Sequence, residues 1–372
     1  MWRLFVNRRH VASENAVICY WGSWSTYRWS IALFEVSNID GSLCTHVVYT
    51  YAGLQNGVVT SLDPYNDLEE SYGKGNYKKF TSYAESNGFK PLLGIGGWNE
   101  GSAKYSEMAS YAAGREDFAD SVVAFLQEYG FDGISLDWMY PTQNGGAQED
   151  KDNYILLLQT LQEKFSDYGY TLAVAVGASP VLTKSYDVAN IGEYVDYITL
   201  LSYDYHTYTD MKTDVASPLY SNDSYSVDFT VEQWTNLGAP AEKLIMGVAS
   251  YGRTDHLSNS NNNGLGASVS GAGTAGQFTQ EPGLLSYLEY CSSSNWEVVH
   301  SDDPLYTYAY KGNQWISYDD EAVLEAKAQY VLDKGLAGIM MYSLESDDFG
   351  GNCDTAYPLL TAINKGLGRI SK

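Results

Sequence analysis

The stretch that decides the fold is FDGISLDWMYP, Phe131 to Pro141. Its centre, GISLDW, is a short apolar run interrupted by Ser135 and Asp137. Alternation along a strand puts Ser135, Asp137 and Met139 on the side of Gly133, and Ile134, Leu136 and Trp138 on the other. Just upstream, Asp117 to Tyr129 places Phe118, Val122, Phe125 and Leu126 on one helical face and stops at Gly130. A helix closing on glycine, then a buried strand with a carboxylate near its far end, is one unit of an alternating α/β chain.

The same unit recurs in both directions. Apolar, strand-like runs stand at AVICY (16–20), HVVYTYA (46–52), PLLGIGG (91–97), TLAVAVG (171–177), YITLLSY (197–203), KLIMGVASY (243–251) and GIMMYSL (338–344). With GISLDW they number eight. Near-continuous apolar strands mark a parallel sheet buried on both faces. Amphipathic helices are predicted over Asp152 to Phe165 (Ile155, Leu158, Leu161, Phe165) and Asp320 to Lys334 (Val323, Ala326, Tyr330, Val331), closed by Gly169 and Gly335. Eight strands alternating with helices predict an α/β chain of the (β/α)8 TIM-barrel type. An open doubly wound sheet is the competing architecture. It needs a Gly-rich phosphate turn after its first strand, where this chain has Trp21-Gly22-Ser23-Trp24.

Between Tyr251 and the helix at Asp320 the chain is too long for a barrel loop. It opens polar, HLSNSNNNGLGASVSGAGTAG, and turns aromatic at LYTYAYKGNQWISY (305–318). A small α+β insertion subdomain at 252–319 is expected, between the seventh strand and the last barrel helix. The barrel is discontinuous, 16–251 and 320–372.

The net charge of -24 argues against nucleic acid and anionic membrane surfaces as partners. A neutral or cationic partner fits better. No apolar run approaches the ~18–20 residues that span a bilayer. Cys19, Cys44, Cys291 and Cys353 include no C-x-x-C pair, so no metal is expected; nor is a cofactor. Four cysteines allow three pairings, of which the local one is simplest; bonding would indicate an oxidising compartment. Asn222-Asp223-Ser224 is a glycosylation sequon. Residues 1–15 are read as an atypical extension outside the fold, since Met1 to Val6 is shorter than the ~7–15 apolar residues of a secretory leader.

In a barrel, functional groups come from the C-terminal ends of strands. Tyr20, Trp24, Trp98, Trp138, Tyr140, Tyr203 and Tyr342 fall there or just beyond. Tyr203-Asp204 ends the sixth strand and Arg253 follows the seventh. With Asp137 they predict a polar, aromatic-lined mouth. Aromatic faces suit the apolar faces of sugars.

The chain resembles glycoside hydrolase family 18, the chitinases and chitinase-like proteins, over about residues 16–365. FDGISLDWMYP resembles the family's FDGxDxDWEYP. GIGGW (94–98) resembles its third-strand SxGG motif and following Trp, and LSYD (201–204) its MxYD. GAPAEKLIMGVASYGR (238–253) and GQFTQEPGLLSYLEYC (276–291) resemble its seventh strand and inserted subdomain. The resemblance implies disulfides Cys19–Cys44 and Cys291–Cys353. It also implies substrate-assisted catalysis: the sugar's N-acetyl oxygen attacks, the motif's last Glu protonates the leaving oxygen, and the Asp two residues earlier orients the acetamido group.

Here the chain departs from the motif, Asp132-x-x-Ser135-x-Asp137-x-Met139. Met139 stands at the Glu position, and a thioether has no proton to give. Ser135 replaces the inner Asp, Tyr342 stands for the family's floor Trp, and Leu201 replaces its Met. The expectation is a secreted, monomeric, non-hydrolytic chitinase-like protein. It would bind chitin-type or other N-acetylglucosamine glycans, or an extracellular protein, in a signalling, immune or matrix role. Its binding residues are expected to be Tyr20, Trp24, Trp98, Asp137, Tyr140, Tyr203, Asp204, Arg253 and Tyr342. The alternatives are a glycosidase whose general acid has moved, for instance to Asp204, and a protein-binding scaffold with a vestigial cleft.

Overall fold

The computed structural model describes residues 15–371. The extension read at 1–15 lies, apart from Asn15, outside the described residues. Eight parallel strands run Ala16–Gly22, His46–Gln55, Lys90–Gly96, Gly133–Asp137, Thr171–Gly177, Tyr197–Leu201, Leu244–Ala249 and Gly338–Tyr342. Each pairs with the next, and the eighth returns to the first, with Ala16 opposite Gly338 and Tyr20 opposite Tyr342. The sheet is therefore a closed (β/α)8 barrel.

The first strand shows why these runs read as continuously apolar: all seven residues are buried. Ile18 and Tyr20 face the barrel interior with Val48, Leu92, Ile245 and Met340. Val17, Cys19 and Trp21 face outward into the core beneath the helices. Filling both faces at ~1.5–3 kcal/mol per large side chain is what stabilises a parallel sheet.

The helix before the fourth strand spans Ala112–Tyr129, and Gly130 ends it at φ 82°, where its N–H bonds to Leu126 O at 2.8 Å. The helix after it spans Asp150–Ser166. Its buried stripe is Tyr154, Leu157, Leu158, Leu161 and Phe165, so the predicted Ile155 sits at the edge of that face. Glu321–Asp333 begins at Asp320, whose side chain accepts from Val323 N at 2.9 Å. A further helix, Pro358–Gly366, follows the eighth strand and was not named from the sequence.

After the seventh strand the chain builds a second, antiparallel sheet. Its order is 269–272, 251–257, 314–318, 305–311, 297–302, with 284–286 also paired to 251–257. With the short helix Tyr287–Cys291 this is the α+β insertion. Cys19–Cys44 ties the outward face of the first strand to the turn before the second, and Cys291–Cys353 ties the insertion to the segment after the eighth. Among the described residues no helix is long and apolar enough to cross a membrane.

Candidate active-site cleft

The C-terminal ends of the strands open into one cleft of about 990 Å³. All nine residues predicted to bind ligand line it: Tyr20, Trp24, Trp98, Asp137, Tyr140, Tyr203, Asp204, Arg253 and Tyr342. Met139 lines it too. Its side chain emerges past the end of the fourth strand, on the parity that alternation assigns.

Backbone geometry sets the cleft's depth beside the fourth strand. Gly96 has φ 113°, and a Cβ there would lie 2.5 Å from the Asp137 carbonyl oxygen. Only glycine lets the third strand turn this close to the fourth. Gly97 N–H then bonds to Asp137 O at 2.9 Å, and Trp98 swings outward, 65 % exposed. Its ring meets Tyr140 edge-on, centroids 6.4 Å apart.

The floor is phenolic. Tyr342 packs on Tyr20 at 5.6 Å and stacks on Tyr203 at 6.4 Å between ring centroids. Asp137 lies among these rings, 1 % exposed. Its Oδ1 accepts from the Ser135 hydroxyl at 2.6 Å and the Tyr20 hydroxyl at 3.3 Å. Tyr20 and Ser135 also share a hydrogen bond at 2.8 Å. Its Oδ2 is buried without a hydrogen-bond partner. Burial pushes this carboxyl up to about 7, against the pull of the nearby Ser135, Tyr51 and Tyr20 hydroxyls. Buried beside Asp137, Tyr20 stays a protonated donor, its pKa held well above the usual phenol value.

On the other wall Asp204 is fully engaged. Its Oδ1 accepts from Arg253 Nε at 2.7 Å, and Oδ2 accepts from the same guanidinium and from Tyr251 OH at 2.7 Å. This bidentate pair fixes the planar fork of Arg253 at the mouth.

Two motif residues fall elsewhere. Asp132 is solvent-exposed and precedes the fourth strand, at the barrel end opposite the cleft. Five residues at ~3.3 Å each separate it from Asp137, so it takes no part in the cleft. Ser135 is buried below the floor and meets the cleft through Asp137 and Tyr20, to both of which it is hydrogen-bonded. Asn222 is exposed on a loop after the sixth strand.

Sequence reasoning missed Tyr51, Glu100, Tyr251, Glu281 and Leu284, all of which line the cleft. Tyr51 and Tyr251 lie near the ends of the runs read as strands from the sequence, 46–52 and 243–251, and were within reach of the strand-end rule. Glu281 and Leu284 come from the insertion, to which that rule does not apply.

The family model for glycosyl hydrolases family 18 matches residues 16–347. A probable chitinase 2 of Drosophila melanogaster is 38% identical over 95% of this chain and 76% of its own length. The crystal structure of the Ostrinia furnacalis Group IV chitinase superposes with a TM-score of 0.91 at 39% identity, covering 95% of this chain and 100% of that one. Human YKL-39, described as a pseudo-chitinase with retained chitooligosaccharide binding properties, superposes at a TM-score of 0.87 with 31% identity, over 95% of this chain and 100% of its own. Barrel, insertion, disulfides and cleft thus agree with the sequence match, and the chain belongs to glycosyl hydrolase family 18.

Proposed function

We propose that this chain is a non-hydrolytic member of its family that binds chitin-type glycans in the barrel cleft. One observation carries the reading: where the motif places the proton donor, at the cleft end of the fourth strand, this chain presents the thioether of Met139. General acid catalysis contributes ~10²–10⁴-fold, and methionine supplies none of it. The cleft nonetheless keeps the size and the aromatic walls of a sugar site. Retained oligosaccharide binding in YKL-39 supports the separation of binding from cleavage.

A relocated acid at Asp204 is disfavoured by its ties to Arg253 and Tyr251, which commit both carboxylate oxygens as acceptors. The two disulfides suit an oxidising, extracellular setting. There a monomer bearing a glycan on Asn222 would act in signalling, immunity or matrix organisation.

The test is calorimetric titration with chito-oligosaccharides alongside mass spectrometry of the same oligomers. Saturable binding with intact oligomers is expected. Cleavage that Asp204→Asn abolishes would establish the relocated acid instead. Absence of binding would favour a protein-binding scaffold.

A further inference from the structure

The charges of the cleft are one-sided. Among the described residues five carboxylates line it, at Asp63, Glu100, Asp137, Asp204 and Glu281, against one cation, Arg253. Two of the five are neutralised: Glu100 by Lys104 at 2.6 Å, Asp204 by Arg253. Glu281 approaches only the far side of that committed guanidinium, at 3.8 Å. Asp63 accepts from Tyr27 OH and the Asn66 backbone and has no cation partner among the described residues. Asp137 is the most deeply placed of them; its Oδ2 is buried without a hydrogen-bond partner among the described residues, although the Tyr51 hydroxyl lies nearby.

An ionised carboxyl in such a place is costly unless a cation or a strong donor reaches it. A neutral sugar amide offers one N–H. A protonated amine offers three donors and a full charge. The floor suits an ammonium as well: phenol oxygens can accept from it, and ring faces attract cations. Glu281 at the rim and the chain's net charge of -24 act in the same direction over longer range.

We propose that the cleft seats a glucosammonium unit against Asp137 Oδ2, so that its ligand class is partly or fully deacetylated chito-oligosaccharide rather than the fully acetylated chain. This rests on the glycan-binding reading above and narrows it. Acetyl-bearing units would occupy the aromatic positions toward Trp98, while at least one free amine sits at the floor.

The experiment is calorimetric titration of the whole chain at about pH 7, where a substantial share of Asp137 is ionised, with two probes, the glucosamine tetramer and the N-acetylglucosamine tetramer. A charge-assisted hydrogen bond corresponds to about 10–100-fold in affinity. The glucosamine tetramer should therefore bind at least about tenfold more tightly. The gap should close in Asp137→Asn, and it should narrow at high salt because exposed charges are screened. Exposed Glu281→Gln, which puts no packing at risk, should lower glucosamine affinity a few-fold and change affinity for the acetylated probe by less. Equal or tighter binding of the acetylated tetramer overturns this proposal and leaves the glycan-binding reading standing. A glucosamine preference indifferent to both substitutions also overturns it, because the acidic surface would then be the attractant. If neither tetramer binds, the glycan-binding reading itself fails.

Discussion

The Ser135 hydroxyl donates to Asp137 Oδ1 at 2.6 Å, both residues buried at the base of the cleft. A neutral hydroxyl thus occupies the position at which the family motif has a second carboxylate. A carboxylate pair at this range shares one proton, because both members cannot ionise. Here Asp137 titrates without such a partner, and burial alone carries it up to about 7.

That elevation makes stability depend on pH with a definite sign. Unfolded, Asp137 loses its proton near ~3.9. Folded, it holds the proton to about 7. Between those values the native state binds more protons, so stability falls as pH rises and levels off above the folded pKa. Asp137→Asn removes this component. Its stability relative to the parent should climb from pH ~4 to pH ~7 by up to about 4 kcal/mol. Chemical denaturation of both proteins across that range checks it. Parallel curves would show that Asp137 is ionised throughout.

A second buried charge tests how the insertion is fastened. Lys327, fully buried on the helix Glu321–Asp333, donates to Asp319 Oδ2 at 2.5 Å, Ser217 O at 2.6 Å and Ser217 Oγ at 2.8 Å. It joins a barrel helix to the end of the insertion and the loop after the sixth strand. Lys327→Met strands the Asp319 charge and should cost about 3–5 kcal/mol. Adding Asp319→Asn should recover part of that loss. A single variant within ~0.5 kcal/mol of the parent would mean that water replaces the ammonium.

These two sites show what was legible in the sequence. Strands buried on both faces leave continuous apolar runs; these predicted the barrel, and alternation together with the strand-end rule then put Asp137 and Met139 at its mouth. Lys327 was not legible. It sits in the stripe read from Val323, Tyr330 and Val331, and its partners lie eight and 110 residues away, beyond any helical period. Asp132 shows the converse: it stands five residues from Asp137 in the motif, but those five residues carry the strand across the barrel, so closeness in the chain is not closeness at the cleft. Glu281 reaches the cleft from the insertion, whose docking is tertiary and leaves no local signal.

Ligand contacts should divide between rim and floor. Trp98 is largely exposed and packs only edge-on to Tyr140. Trp98→Ala should therefore weaken oligosaccharide binding by about tenfold, the stacking loss of one ring at ~1–1.5 kcal/mol, with little change in Tm. Tyr342→Ala should lower Tm, since that ring supports Tyr20 and Tyr203, and should weaken binding less. Titration and thermal unfolding of both variants separate the two effects. The reverse order of affinity losses would put the ligand deeper than the aromatic rim.

Restoring the acid tests whether the chemistry was lost at one position or at three. Met139→Glu returns a carboxyl to the cleft, close to an Asp137 whose Oδ1 is held by hydroxyls and whose charge is shared with no one. The new pair would titrate as a coupled unit with its proton in the wrong balance. Activity on a fluorogenic chitobioside should therefore stay low, below about one hundredth of the best variant in the series. Ser135→Asp in the same chain places a carboxyl where it can take the Tyr20 hydroxyl and share a proton with Asp137, which frees Asp137 to respond to Glu at 139. The double variant should exceed the product of the single effects, because groups that act as one catalytic unit are not additive. Tyr342→Trp, added third, enlarges the face beneath a distorted sugar and should raise kcat more than it lowers KM. Strictly multiplicative single effects would rule out coupling between positions 135, 137 and 139. A triple variant that binds the oligosaccharide tightly yet turns nothing over would place the loss in the shape of the cleft as well as in its carboxylates.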